Sequence, residues 1–237
     1  MRDLAILAPA EIVNFRDLGG LAAGEGRKLR FGRLIRSSCP SGFDIEAWGR
    51  LRSAGIDVVH DLRMTSERFE VPTRAAKAGL SVREQDYELD TSAMDLSIAD
   101  GTLTETAARA IMLDAYRSLP FQLAPIYGQM LEDLASGRPV LVHCAAGKDR
   151  TGIAVALALR GAGLPVELIL EDYLRLESKH TDRPQAMAPL RAVDPAYLRS
   201  TFEEIDRRAG SFDAYLADVL RLDSGIRQRL AAELIDG

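Results

Sequence analysis

Short, densely apolar runs along this chain are separated by longer stretches in which apolar residues return every three or four positions. Pro139-Val140-Leu141-Val142 is apolar and β-branched, as a buried strand requires, and Ile56 to Leu62, reading Ile-Asp-Val-Val-His-Asp-Leu, is a second strand candidate. Glycine turns at Gly19-Gly20 and Gly24 to Gly26 lead into Lys28 to Arg36, whose alternation suggests a strand ending at Arg36-Ser37-Ser38. Between these runs, Asp44 to Ala54 carries Ile45, Trp48 and Leu51 at helical spacing, with Gly55 as its stop. Thr151 to Leu159 is rich in Ala and Leu and fits a buried helix. The apolar run from Gly152 to Leu170 is interrupted by Arg160 and Glu167, with Gly161, Gly163 and Pro165 between them. It therefore predicts two core helices and a turn, not a membrane span. Further helices are expected over 166–177, about 194–208, 211–220 and 224–235.

Alternation of strand and helix points to an α/β fold, a central, largely parallel sheet flanked by helices, with ligands at the carboxyl ends of its strands. Residues 91–120 break the alternation: they carry no strand pattern and hold an amphipathic stretch from Glu105 to Arg117. This segment reads as a helical insertion, either a lid over the ligand site or a packed surface helix pair. With 237 residues, 47% hydrophobic and 27% charged, residues 1–237 fit one globular domain.

The net charge of -5 argues against nonspecific attraction to nucleic acid or to an anionic membrane, so positive potential has to be local, from Arg150, Lys148 and Arg63. Two cysteines, Cys39 and Cys144, make no disulfide framework, and a reactive thiol needs a reducing compartment, which suggests the cytoplasm. Met1 to Ala10 has one arginine and an apolar run interrupted by Asp3, too short for a secretory signal; export would need a route the sequence does not display.

The chemistry concentrates in residues 143 to 152, His-Cys-Ala-Ala-Gly-Lys-Asp-Arg-Thr-Gly, between the strand at 139–142 and the helix from Thr151. The first turn of a helix leaves amides unpaired and adds partial positive charge, so a loop feeding it can gather donors around a phosphate-sized anion. Ala145, Ala146 and Gly147 are small enough for that wrap, and the same setting favours the thiolate of Cys144 as a nucleophile. Arg150 offers a planar fork for two phosphoryl oxygens, and Lys148 adds charge. Thr151 can donate its hydroxyl to the departing sulfur, while His143 orients the loop. The nucleotide-binding loop is excluded because Asp149 follows Gly147-Lys148 and Val142 stands where its first glycine belongs. Zinc is excluded because Cys144 has no second cysteine or spaced histidine pair near it. No metal or cofactor is expected.

This decapeptide resembles the signature of the cysteine-dependent protein tyrosine phosphatase superfamily, in which His-Cys is followed after five residues by Arg and then Ser or Thr. Lys148 and Asp149 make it similar to the atypical bacterial tyrosine phosphatases that also accept phosphoserine and phosphoinositides. Asn14 to Gly20, Arg36-Ser37-Ser38, Asp61-Leu62-Arg63 with Glu67, Glu171 to Leu174 and Gly210-Ser211 to Tyr215 extend the resemblance over nearly the whole chain. It implies a tyrosine or dual-specificity phosphatase fold and phosphomonoester hydrolysis through a phospho-cysteine, on a phosphorylated protein or a phosphoinositide. An arsenate-reductase-like thiol redox enzyme, a phosphate-binding module without turnover and a sulfur transferase remain as alternatives.

Conventional members supply the general acid from an upstream loop. Here the corresponding stretch holds Asp114, inside the predicted helix Glu105 to Arg117 and without a Trp-Pro-Asp sequence. Two candidates are left. Asp149 lies in the loop, where a bound phosphate dianion favours its protonated form. Asp61 ends a strand beside the loop, where it could instead be an ion-pair partner of Arg150 or Lys148; Asp149 is preferred. Lys148 is expected to meet a second phosphate or to assist the thiolate. Asn14 to Gly20 is expected to be a structural turn, Cys39 a bystander or an oxidative partner of Cys144, and His60 and His180 core and surface residues.

Overall fold

The computed structural model describes residues 12–176 and 185–236. The expectations for Met1 to Ala10 and for His180 lie outside these residues. Among the described residues seven strands form: β1 (Arg16–Asp17), β2 (Ala22–Gly24), β3 (Arg27–Lys28), β4 (Leu34–Ser37), β5 (Val58–Asp61), β6 (Ser81–Glu84) and β7 (Val140–His143). Five of them make the central sheet in the order β1-β4-β7-β5-β6, and β2 and β3 form a separate hairpin. Within the central sheet, β4, β7, β5 and β6 run parallel and only β1 is antiparallel.

The apolar runs are continuous because both faces of this sheet are covered. Leu34, Val58, Val140 and Val142 enter the large core, whereas Ile35, Val59 and Leu141 point the other way into a smaller cluster with Phe43, Trp48, Leu51 and Leu80. The small cluster is roofed by α1 (Ile45–Ser53) and a 3₁₀ turn at Ala75–Ala78. Asp44 caps α1 by accepting from the Ala47 amide at 2.7 Å, and Gly55, at φ +106°, follows its end. After the short α2 (Thr65–Glu70) and α3 (Ser92–Ala99), the remaining helices are α4 (Glu105–Gln122), α5 (Ala124–Ala135), α6 (Asp149–Gly161), α7 (Val166–Leu174), α8 (Ala188–Arg191), α9 (Pro195–Ala209), α10 (Phe212–Ala214) and α11 (Ile226–Leu234). Among them α4, α5, α6, α7, α9 and α11 contribute to the large core.

Three departures from the sequence pattern have local causes. The alternation over Lys28 to Arg36 is divided by a turn at Gly32 (φ +74°), whose amide donates to Asp17 Oδ2 at 2.7 Å, so β3 and β4 belong to different sheets. β6 escaped notice because Ser-Val-Arg-Glu has a single apolar residue, which suffices for a strand at the edge of a sheet. The stretch 211–220 is not one α-helix, since α10 gives way to a π-helical turn at Tyr215–Val219. The 91–120 segment also divides: α4 buries Ala108, Met112, Tyr116 and Leu119, whereas α3 buries no residue and exposes Leu96. Among the described residues no helix is long and apolar enough to cross a membrane.

Leu141 lies fully buried in the central strand. Leu141→Ala is expected to cost about 2–5 kcal/mol, the transfer loss plus a residual cavity, measurable by denaturant unfolding.

Candidate active site

β7 ends at His143 between β4 and β5, and the chain turns through Cys144 to Lys148 before α6 begins at Asp149. The Cys144 side of the loop is buried. Three successive loop carbonyls are tied outward. The Cys39 amide donates to Ala145 O at 2.9 Å, Asn14 Nδ2 to Ala146 O at 3.1 Å and Arg36 Nη2 to Gly147 O at 2.8 Å. In a planar trans peptide the N–H points opposite the C=O. Anchoring those carbonyls outward therefore turns the amides of Ala146, Gly147 and Lys148 toward the inside of the loop, where they join the free amides at the start of α6. Gly147 adopts φ +65°, and a Cβ there would stand 2.3 Å from the Ser37 carbonyl oxygen, so only glycine allows the loop to lie this close to β4.

The Arg36 tether is itself braced. Arg36 Nη1 donates to Asp172 Oδ2 at 2.9 Å, and Arg16 Nη2 donates to Asp172 Oδ1 at 2.7 Å. Asn14 and Arg16 thus make the N-terminal motif a direct support of the loop, beyond the turn expected from its sequence. Asp17 serves that turn, accepting from the Gly19 amide at 2.9 Å.

Arg150, on the first turn of α6, is held in one plane. Its Nη1 and Nη2 donate to Glu67 Oε2 and Oε1 at 2.6 and 3.0 Å, and Nη1 also reaches Leu62 O at 3.2 Å and the Tyr87 hydroxyl at 3.0 Å. Tyr87 in turn donates to Leu62 O at 2.6 Å, and Glu67 accepts from the Met64 amide at 2.7 Å, closing the first turn of α2. Burial pushes the Glu67 carboxyl up, but the Arg150 hydrogen bonds and charge outweigh it and hold it below the ordinary range. Burial likewise works against the Arg150 cation, and its bonds to Glu67 more than restore it.

Asp61 and Arg63 form a closed pair. Arg63 Nη2 donates to Asp61 Oδ2 at 2.6 Å, and the Arg63 Nε and amide donate to Oδ1 at 2.9 and 3.1 Å. Arg63 Nη1 reaches Val71 O at 2.8 Å. Burial raises the Asp61 carboxyl, yet the His143 and Arg63 charges and the Arg63 bonds leave it lowered overall. Asp61 is thus a buried carboxylate whose ion-pair partner is Arg63. It does not pair with Arg150 or Lys148, and the Arg63 charge is spent on Asp61 and the end of α2. His143, the lateral neighbour of Asp61, has Nε2 3.7 Å from Asp61 Oδ2 and Nδ1 3.4 Å from the Cys144 carbonyl oxygen, and burial lowers its pKa.

Lys148 departs from expectation. Its ammonium donates to Leu190 O at 2.9 Å and Ala192 O at 3.2 Å and is almost wholly buried, so it fastens the C-terminal end of α8 to the loop in place of facing a second phosphate. Asp149 is partly open, with Oδ1 accepting from the Tyr116 hydroxyl at 2.7 Å. Thr151 Oγ1 is buried and makes no hydrogen bond with a described residue. Cys39 is a free thiol raised by burial, and its backbone, not its sulfur, serves the loop. His60 is a core residue, its Nε2 3.0 Å from Asp133 Oδ2.

Sequence reasoning assigned no role at the site to Asn14, Arg36, Asp172, Glu67, Tyr87 or Tyr116. Arg36 and Asp172 carried a usable signal, since each places a charge within an apolar run that must be buried. Among the described residues no three His, Cys, Asp or Glu side chains converge to hold a metal ion.

A model of the tyrosine phosphatase family matches residues 7–236. The chain is 33% identical over 240 residues to a protein of Cupriavidus necator named as a candidate tyrosine-protein phosphatase, spanning 92% of this chain and 85% of that one. It is 32% identical over 253 residues to the triple specificity protein phosphatase PtpB of Mycobacterium tuberculosis, covering 86% and 90% of the two chains. The crystal structure of Tk-PTP in its active form overlaps 67% of this chain and 89% of its own, at 20% identity and a TM-score of 0.38.

Asn14→Gly removes the tether while keeping the backbone at φ +58° accessible, and is expected to weaken binding of inorganic sulfate. Arg36→Met strands the Gly147 carbonyl and part of Asp172 and is expected to cost about 3 kcal/mol; calorimetry and denaturant unfolding read the two effects. The Glu67–Arg150 pair gives a pH signature. Because the Glu67 carboxyl titrates below its ordinary 4.5 in the folded protein, its stabilisation is complete above that value and is lost as pH falls through the folded pKa. The melting-temperature gap between the protein and Glu67→Gln is expected to be full at neutral pH and to close below about pH 4.5. A constant gap down to about pH 3 would contradict this assignment.

Proposed function

The chain belongs to the tyrosine phosphatase family, and on that premise we propose that it hydrolyses phosphotyrosine in proteins through a phospho-cysteine intermediate on Cys144. The observation that carries the reading is the loop itself: a thiol beneath inward-facing amides, with the Arg150 fork fixed beside it by Glu67. Phosphoryl transfer leaves charge on three equatorial oxygens, and donors placed in advance supply most of the catalysis. The amides from Ala145 to Arg150 and the Arg150 guanidinium meet those oxygens.

In the first step the Cys144 thiolate forms the S–P bond as the bond from phosphorus to the phenolic oxygen breaks, and Asp149 gives that oxygen its proton. In the second, water attacks phosphorus and gives a proton to the Asp149 carboxylate. The P–S bond then breaks to restore the thiolate and release inorganic phosphate. The Thr151 hydroxyl, with no hydrogen-bond partner among the described residues, is available to the leaving sulfur. Asp149 is favoured over Asp61 because it lies on the loop and is partly open, whereas Asp61 is completely buried and bound by Arg63. His143 lies against the Cys144 carbonyl and Asp61, and Arg63 holds Asp61 in place. Two free thiols fit work in the reducing cytoplasm.

Phosphate release from p-nitrophenyl phosphate in the presence of a chelator is the direct test. Turnover is expected to be blocked by vanadate, abolished in Cys144→Ser and reduced at least about a hundredfold in Arg150→Met. No turnover by the unaltered protein would refute the proposal. Asp149→Asn is expected to slow phenyl phosphate far more than p-nitrophenyl phosphate, and Asp61→Asn to lower stability without that selectivity. The reverse pattern would transfer the acid to Asp61. A panel of phosphotyrosine, phosphoserine, phosphothreonine and phosphoinositide substrates then defines the range, with phosphotyrosine peptides expected to lead.

A further inference from the structure

Behind Asp149 lies a buried line of hydroxyls that anion binding does not require. The Tyr116 hydroxyl of α4 donates to Asp149 Oδ1 at 2.7 Å, and the Tyr173 hydroxyl of α7 lies 2.7 Å from that of Tyr116. Both side chains are essentially inaccessible. A phenol in an apolar core costs free energy unless its oxygen finds a partner. The Tyr116 hydroxyl has a single proton, and it goes to Asp149 Oδ1. The Tyr173 proton is therefore directed to Tyr116. Burial pushes both phenols well above their ordinary value, so each keeps the proton it donates.

The rings are held as firmly as the hydroxyls. Tyr173 meets Tyr116 edge to face at 6.2 Å and 75°, and Gly152 leaves room for it, since a Cβ there would stand 3.2 Å from the ring. Thr201 Oγ1 donates to the Tyr116 carbonyl oxygen at 2.8 Å. The Lys148 ammonium faces the same Asp149 oxygen at 3.4 Å.

We propose that Tyr116 and Tyr173 are positioning residues for the proton donor: the Tyr116 hydroxyl, held by that of Tyr173, donates to Oδ1 and so confines the transferable proton to Oδ2 and fixes the plane of the Asp149 carboxyl. This rests on the reading of Asp149 as general acid. A carboxylic acid carries one proton, and an oxygen that already accepts from a phenol and faces an ammonium is the poorer place for it. When Oδ2 gives the proton to the leaving oxygen, the new carboxylate keeps the Tyr116 hydrogen bond in place. When water returns a proton in the second step, Oδ2 is again the open acceptor.

Tyr116→Phe and Tyr173→Phe each delete one oxygen. Turnover of phenyl phosphate, a poor leaving group, and p-nitrophenyl phosphate, a good one, is compared for these variants, Asp149→Asn and the double variant Tyr116→Phe/Asp149→Asn. Tyr116→Phe is expected to lose roughly tenfold in kcat on phenyl phosphate and under about threefold on p-nitrophenyl phosphate, with KM unchanged. Tyr173→Phe should show the same selectivity more weakly, and it carries the comparison if Tyr116→Phe does not fold. The double variant should be no slower than Asp149→Asn alone. Equal losses on both substrates, or losses that multiply in the double variant, would overturn the proposal and leave the tyrosines a purely structural role. Equal losses in Asp149→Asn itself would instead overturn the assignment of the acid, and the tyrosine relay with it.

Discussion

A loop can bind an anion with its backbone only if its peptide planes are held the right way round, and here that orientation is imposed from outside the loop. The carbonyls of Ala145, Ala146 and Gly147 each accept a hydrogen bond from a residue far away in sequence, Cys39, Asn14 and Arg36. Peptide planarity converts these three outward bonds into inward amides. Without them the carbonyl oxygens would be free to turn in and repel a phosphate. The position of β7 between β4 and β5 makes the arrangement possible, because it brings the Arg36-Ser37-Ser38 end of β4 alongside the loop.

Charge is organised around this frame in three separate groups. Arg36 and Arg16 share Asp172 behind the loop, Arg150 is matched to Glu67 at its mouth, and Arg63 is matched to Asp61 beneath it. Each buried charge faces an opposite one, as the cost of desolvation demands. The group differing in kind is Arg150. Glu67 and Tyr87 fix the plane of its guanidinium, which leaves a cation of set orientation beside the loop in a chain whose net charge is -5.

The same accounting separates residues that look equivalent in sequence. Asp61 and Asp149 both stand at the carboxyl end of the sheet, but one is enclosed by a guanidinium, and the other accepts from a phenol, faces an ammonium and is partly open. Lys148 and Arg150 are both cations of the loop. The lysine, however, ends on the Leu190 and Ala192 carbonyls, which join the loop to the segment that leads into α9. Lys148 is thus anchored to the chain ahead of α9, and Asp149, through Tyr116 and Tyr173, to α4 and α7.

The decapeptide, the buried strand before it, the helix after it and the parallel α/β plan were legible in the sequence. Each rests on adjacent residues or on a period of a few positions: Cys144 to Arg150 is local spacing, and Val140 to Val142 is a local apolar run. Tertiary structure alone decided which partners those residues meet. Glu67 reaches Arg150 across 83 positions, Arg36 reaches Gly147 across 111 and Asn14 reaches Ala146 across 132. Hydrophobic periodicity describes which face of an element is buried, but it carries no information about the hydrogen bonds a polar side chain makes once distant elements are packed together. The loop and the elements that flank it could therefore be named from the chain itself, while the orientation of its peptides and the partners of Asp61 and Lys148 followed only from folding.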